Sequence, residues 1–125
     1  MTLRPPRTNP TNSNEMRESA LAYEIAQEQA AALGRLGRTL EAALAALAQH
    51  DGRHGQAGKA QDLGPVGAMR ERLLKEASDA LWRFIVQREA CGLRDQRLIM
   101  REYRVPTEVQ NRMGVFGTTG QRRSA

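Results

Sequence analysis

LGRLGRTLEAALAAL, residues 33–47, is the stretch that decides the fold. Leu33, Leu36, Leu40, Leu44 and Leu47 recur at spacings of 3, 4, 4 and 3, the rhythm of one helix face. Leu73, Ala77, Leu81, Phe84, Ile85, Arg88 and Cys91 keep a similar rhythm beyond a glycine-rich break. Two such stripes bury themselves against each other or against a second copy of the chain. The expected fold is all-α: an antiparallel hairpin of two long helices, closed at one end by two short C-terminal helices.

Working outward, Pro5, Pro6 and Pro10 mark residues 1–12 as a disordered arm. Asn12 and Glu15 have the spacing of a capping box, with Ser13 and Asn14 as competing caps, so the first helix is expected from residue 13 to Gln49. Leu21, Ala22, Ile25, Ala26, Gln29 and Ala32 carry its stripe upstream. Gly52, Gly55, Gly58 and Gly64 make residues 50–64 a flexible connection. Pro65 suits the first position of the second helix, and Gly92 suits a left-handed cap after Cys91. Phe84, Cys91 and Leu98, and Ile85, Gly92 and Ile99, each seven apart, also fit one bent helix running through Gly92. A third helix is expected from Leu93 to Tyr103 and a fourth from Thr107 to Met113, closed by Gly114. The helical domain is thus 13–116, followed by a disordered tail, 117–125.

At 125 residues with 40% apolar content, the chain supports one core. With two Phe, two Tyr and one Trp, that core is mainly Leu, Ala and Ile. A thin Ala/Leu seam buries little area at roughly 25 cal/mol per Å², which points to self-association, as a homodimer or coiled coil. Cys91, alone in the sequence, forms no intrachain disulfide and fits a reducing cytoplasm. The first residues carry no secretory apolar run, and no stretch approaches the roughly 20 apolar residues of a membrane span.

Charge is unevenly distributed. Residues 1–65 hold seven basic and seven acidic side chains, whereas residues 66–125 hold twelve and seven, so the net +5 lies in the second half. Arg94, Arg97, Arg101 and Arg104, at spacings of 3, 4 and 3, are expected along one face of the third helix, where they can grip phosphates. Asp95 and Glu102 interleave with them, and a solvated face is the commoner meaning of such a stripe.

The segment LIMREYRVPTEVQNRMG, residues 98–114, resembles a helix-turn-helix. In that motif the second helix reads base edges, a role implied here for Gln110, Asn111 and Arg112, with Thr107 and Glu108 also outward and Val105 and Val109 packing the turn. The chain departs from the motif: Arg104 stands where glycine is usual, Val109 comes one residue early, and Glu108 would meet phosphate unfavourably. The plainer expectation is a capping helix that folds over the bundle end and buries Val109 and Met113.

Other motifs carry less. Ala30, Gly34 and Gly37 form a small-residue groove, either a docking surface for another helix or close packing inside the hairpin. Trp82 and Val86, with Ser78 and Asp79, lie off the main stripe of their helix and are covered either by the first and third helices or by a dimer seam. His50, Asp51 and His54 have metal-like spacing only on a helix, which Gly52 opposes, and no Glu-x-x-His exists for a bundle-core di-iron site. Gly58-Lys59 fails as a phosphate loop, because residue 53 is Arg and residue 60 is Ala. No serine or cysteine has an evident activating base. The expectation is therefore a non-enzymatic interaction protein without cofactor, metal or small-molecule substrate, partnered by itself or another protein, with DNA binding through residues 94–113 as the alternative.

Overall fold

The computed structural model describes residues 10–55 and 64–117, with side chains assigned over 12–55 and 64–113. Four helices account for nearly all of them: α1 (Pro10–His54), α2 (Pro65–Ala90), α3 (Gln96–Glu102) and α4 (Thr107–Gly117). No strand occurs among the described residues. The chain divides into two compact units, Met1–Ala32 and Leu33–Ala125. In the first, the described residues are α1 alone, and its large apolar side chains Met16, Leu21, Tyr23 and Ile25 are exposed.

The second unit holds the core. Leu40 and Leu47 of α1 are buried with Leu74, Ala77, Ala80, Leu81, Phe84 and Ile85 of α2, Ile99 of α3, Val105, and Val109 and Met113 of α4. Leu33, Leu36 and Leu44 pack against this cluster. Contacts between α1 and α2 run in opposite senses: Gly37 lies under the Phe84 ring, whereas His50 bonds to the carbonyl of Val66. The leucine rhythm thus marks the buried face of α1, although α2 also buries Leu74, Ser78 and Ala80 beside the expected stripe.

Helix ends account for most departures from the sequence reading. α1 begins at Pro10, so residues 10–12 are helical rather than part of an arm, and Asn12 lies inside the helix instead of capping it. Proline at a helix start loses nothing, because its missing N–H would be unpaired there anyway. At the other end α1 runs past Gln49 and through Gly52 to His54. The roughly 1 kcal/mol cost of a helical glycine is offset by tertiary bonds that hold the last turn. His50 Nε2–H donates to Val66 O at 3.2 Å, and Asp51 is held by Arg70. His50 is consequently a buried core residue, not part of a mobile loop. The rest of the expected connection, 56–63, and the expected tail from 118 onward lie outside the described residues.

α2 starts at Pro65 and ends as expected. Gly92 takes φ +88°, its N–H donates to Glu89 O at 2.9 Å, and Leu93 N donates to Arg88 O at 2.8 Å. This paired closure is a Schellman cap. α3 begins at Gln96, later than the expected Leu93, because Asp95 is its N-cap and accepts from Leu98 N at 3.3 Å. α3 closes with the same cap: Arg104 N donates to Arg101 O at 3.2 Å and Val105 N to Met100 O at 3.0 Å. Here the left-handed position, φ +51°, is filled by Arg104. α4 passes through Gly114 to Gly117 rather than stopping at Met113.

Candidate functional site

Three helices meet at Arg70, which is 3% exposed. Its Nε and Nη2 donate to Asp51 Oδ1 and Oδ2 of α1 at 2.8 and 3.1 Å. Its Nη1 and Nη2 donate to Glu108 Oε2 and Oε1 of α4 at 3.0 and 2.6 Å. A buried guanidinium is tolerable only when its donors are met in this fork geometry. The two carboxylates push its pKa further up, against the opposing effect of burial, so Arg70 is charged at every accessible pH. With four donor bonds committed, Arg70 clamps the fold rather than binding a ligand. A groove beside it is lined by Leu44, Leu47, Asp51, Tyr103 and Glu108 among others.

His50 lies next to the clamp. A carbonyl only accepts, so the Nε2 bond to Val66 O fixes that proton, and the buried Nδ1, 3.5 Å from Asp51 Oδ1, has no hydrogen-bond partner among the described residues. The His50 and His54 rings lie 4.6 Å apart on one helix face, so the helical spacing that Gly52 argued against does form. Among the described residues no group of three or more His, Cys, Asp or Glu side chains is placed to hold a metal ion.

The C-terminal helix pair keeps part of the expected arrangement. Val105 and Val109 pack the turn and Met113 is buried, as in the capping-helix reading. Glu108, Gln110 and Arg112, however, do not all project outward. Glu108 is held by Arg70, Gln110 Nε2 donates to Val105 O at 2.9 Å, and Arg112 pairs with Glu71. Thr107 and Asn111 remain exposed. The four arginines do not share one helix face either: Arg97 and Arg101 lie on α3, while Arg94 precedes its cap and Arg104 follows its end. All four are exposed.

The small-residue groove divides. A Cβ on Gly37 would come within 2.8 Å of Tyr103 Oη and 3.6 Å of the Phe84 ring, so Gly37 serves packing inside the domain. At Gly34 the same atom would meet only the Arg38 guanidinium, at 3.4 Å, and Ala30 is exposed. On α2, Trp82 and Val86 are 42% and 44% exposed, one turn apart, with Leu93 exposed beyond the cap. Ser78, read beside them in the sequence, is instead fully buried, donating to Leu74 O at 2.8 Å. Lys75 and Asp79 pair on the outer side of α2, 3.1 Å apart.

The molecule is thus a small helical protein with an ion-pair clamp, an exposed aromatic-aliphatic face and an exposed arginine face. The chain belongs to a family of unknown function, DUF6665, whose family model matches residues 56–121. That match covers α2, α3 and α4, and with them both exposed faces. No curated protein and no solved structure matches the chain. Among the described residues no helix is long and apolar enough to cross a membrane.

Proposed function

We propose that this is a non-enzymatic interaction protein of the cytoplasm that self-associates through the Trp82–Val86 face of α2. One observation carries the reading: the only tryptophan of the chain stands exposed, one turn from an exposed valine, on a helix whose opposite face is fully used by the core. Tryptophan is enriched where buried contacts dominate binding energy, so an exposed Trp82 beside Val86 supplies an anchor of that kind. In a two-fold pair each contact occurs twice, so Trp82 of one copy packing on Val86 of the other buries both stripes at once.

Apolar burial is not screened by salt, so the association persists when ionic strength rises. Sedimentation velocity of the wild type and of Trp82→Ala, at low and high salt, tests this. The expected result is a dimer at both salt levels and a folded monomer for Trp82→Ala. A wild-type monomer at every concentration would refute it, and a Trp82→Ala variant that still dimerises would move the interface elsewhere.

A further inference from the structure

Arg94, Arg97 and Arg101 are exposed and line one surface hollow with Asp95 and Gln96. Arg70, Lys75 and Arg112 each have a carboxylate partner, whereas Arg72, Arg83, Arg88 and Arg104 form no ion pair among the described residues. Arg94, Arg97 and Arg101 form none there either. The carboxylates closest in sequence have other tasks. Asp95 Oδ1 accepts from Leu98 N, Glu89 Oε2 accepts from Gln96 Nε2 at 3.3 Å, and Glu102 lines a different hollow with Glu41, Tyr103 and Arg104. Arg94, Arg97 and Arg101 thus share one hollow with a single carboxylate, Asp95.

The frame under them is fixed. Ile99 is buried, the Asp95 cap starts α3, and the Gly92 turn sets the chain just before Arg94. Arg97 and Arg101 are one helical turn apart, about 6 Å along the axis, which lets each meet a different phosphate of one strand. Guanidinium forks match phosphate oxygens in shape and charge.

We propose that this face binds the phosphodiester backbone of a nucleic-acid duplex without reading its sequence. No aromatic side chain lines the hollow, so the stacking platform of a single-strand site is missing from it. Of the three side chains expected to read bases, Gln110 and Arg112 are tied to the protein instead, and Asn111 alone stays exposed. The proposal uses neither Trp82 nor Val86 and stands apart from the self-association reading.

The test is anisotropy of a labelled random-sequence duplex titrated with the full-length chain and with Arg94→Gln, Arg97→Gln and Arg101→Gln. A footprint of three phosphates predicts that affinity falls about 40-fold for a roughly fourfold rise in salt, and each single variant lowers that factor to about 12-fold. Unchanged thermal midpoints show that the exposed substitutions leave the fold intact. No duplex binding at low salt, or a salt dependence that none of the three variants alters, would overturn the proposal. Binding to phosphatidylserine vesicles in place of the duplex would overturn the nucleic-acid assignment.

Discussion

Arg70 Nη2 lies 2.6 Å from Glu108 Oε1, and the same nitrogen reaches Asp51 Oδ2 at 3.1 Å. One guanidinium thereby joins α1, α2 and α4, which are otherwise held by the leucine-rich core. The carboxylates that Arg70→Ala leaves behind are 32% and 46% exposed, so solvent takes up part of their charge. Losing the clamp and the buried stem of Arg70 is expected to destabilise the domain by about 2 kcal/mol. Glu108 is nearly half exposed. Glu108→Gln therefore costs only about 1 kcal/mol, because solvent screens that side of the clamp. Urea denaturation of the two variants checks the order, and equal losses would refute it.

Gly34 and Gly37 have the same helix propensity but different surroundings. Gly34→Ala is expected to stabilise by up to about 1 kcal/mol, since the new methyl meets only a movable guanidinium. Gly37→Ala drives a methyl to 2.8 Å from Tyr103 Oη and is expected to destabilise by about 1–2 kcal/mol net. Tyr103→Phe deletes the offending oxygen and leaves the Phe84 ring at ordinary contact distance, so the double variant recovers most of the loss. Additive effects in that double-mutant cycle would contradict the packing described.

Little of this was legible in the sequence. Asp51 and Glu108 stand 19 and 38 residues from Arg70, and in their own windows Asp51 reads as part of a His cluster and Glu108 as an outward residue of a short helix. The leucine stripe was legible because helix periodicity is local, and so were Pro65 and Gly92, whose backbone preferences are intrinsic. The course of α1 through Gly52 was not, since its stability comes from His50 and Asp51 reaching α2. Trp82 and Val86 stood out as apolar residues off the stripe, but only the packing of Ser78 into the core separated the outer face from the inner one.

Arg104 and Gly92 occupy equivalent positions in two Schellman caps, at φ +51° and +88°. A side chain in this region costs roughly 1–2 kcal/mol relative to glycine, part of which glycine returns through its freer unfolded chain. Arg104→Gly is therefore expected to raise stability by about 1 kcal/mol. A lower urea midpoint for this variant would mean that the Arg104 side chain makes a contact worth more than the strain.

Burial raises the pKa of Tyr103 above its usual value, and Glu41 and Glu102 add to this while Arg88 opposes it. A raised acid pKa means that the folded state favours the neutral phenol. The resulting stability is complete below the unfolded pKa of about 10 and is lost as pH climbs through the higher folded value. Thermal midpoints measured from neutral to strongly alkaline pH should fall more steeply for the wild type than for Tyr103→Phe. Parallel curves would contradict it.

Association through the α2 face is visible in the fluorescence of Trp82, the only tryptophan in the chain. Its emission maximum is measured against protein concentration for the wild type and for Val86→Ala. A blue shift is expected as the wild type associates, and a red-shifted, concentration-independent maximum for a folded Val86→Ala. A wild-type maximum that stays red-shifted over the whole concentration range would contradict it.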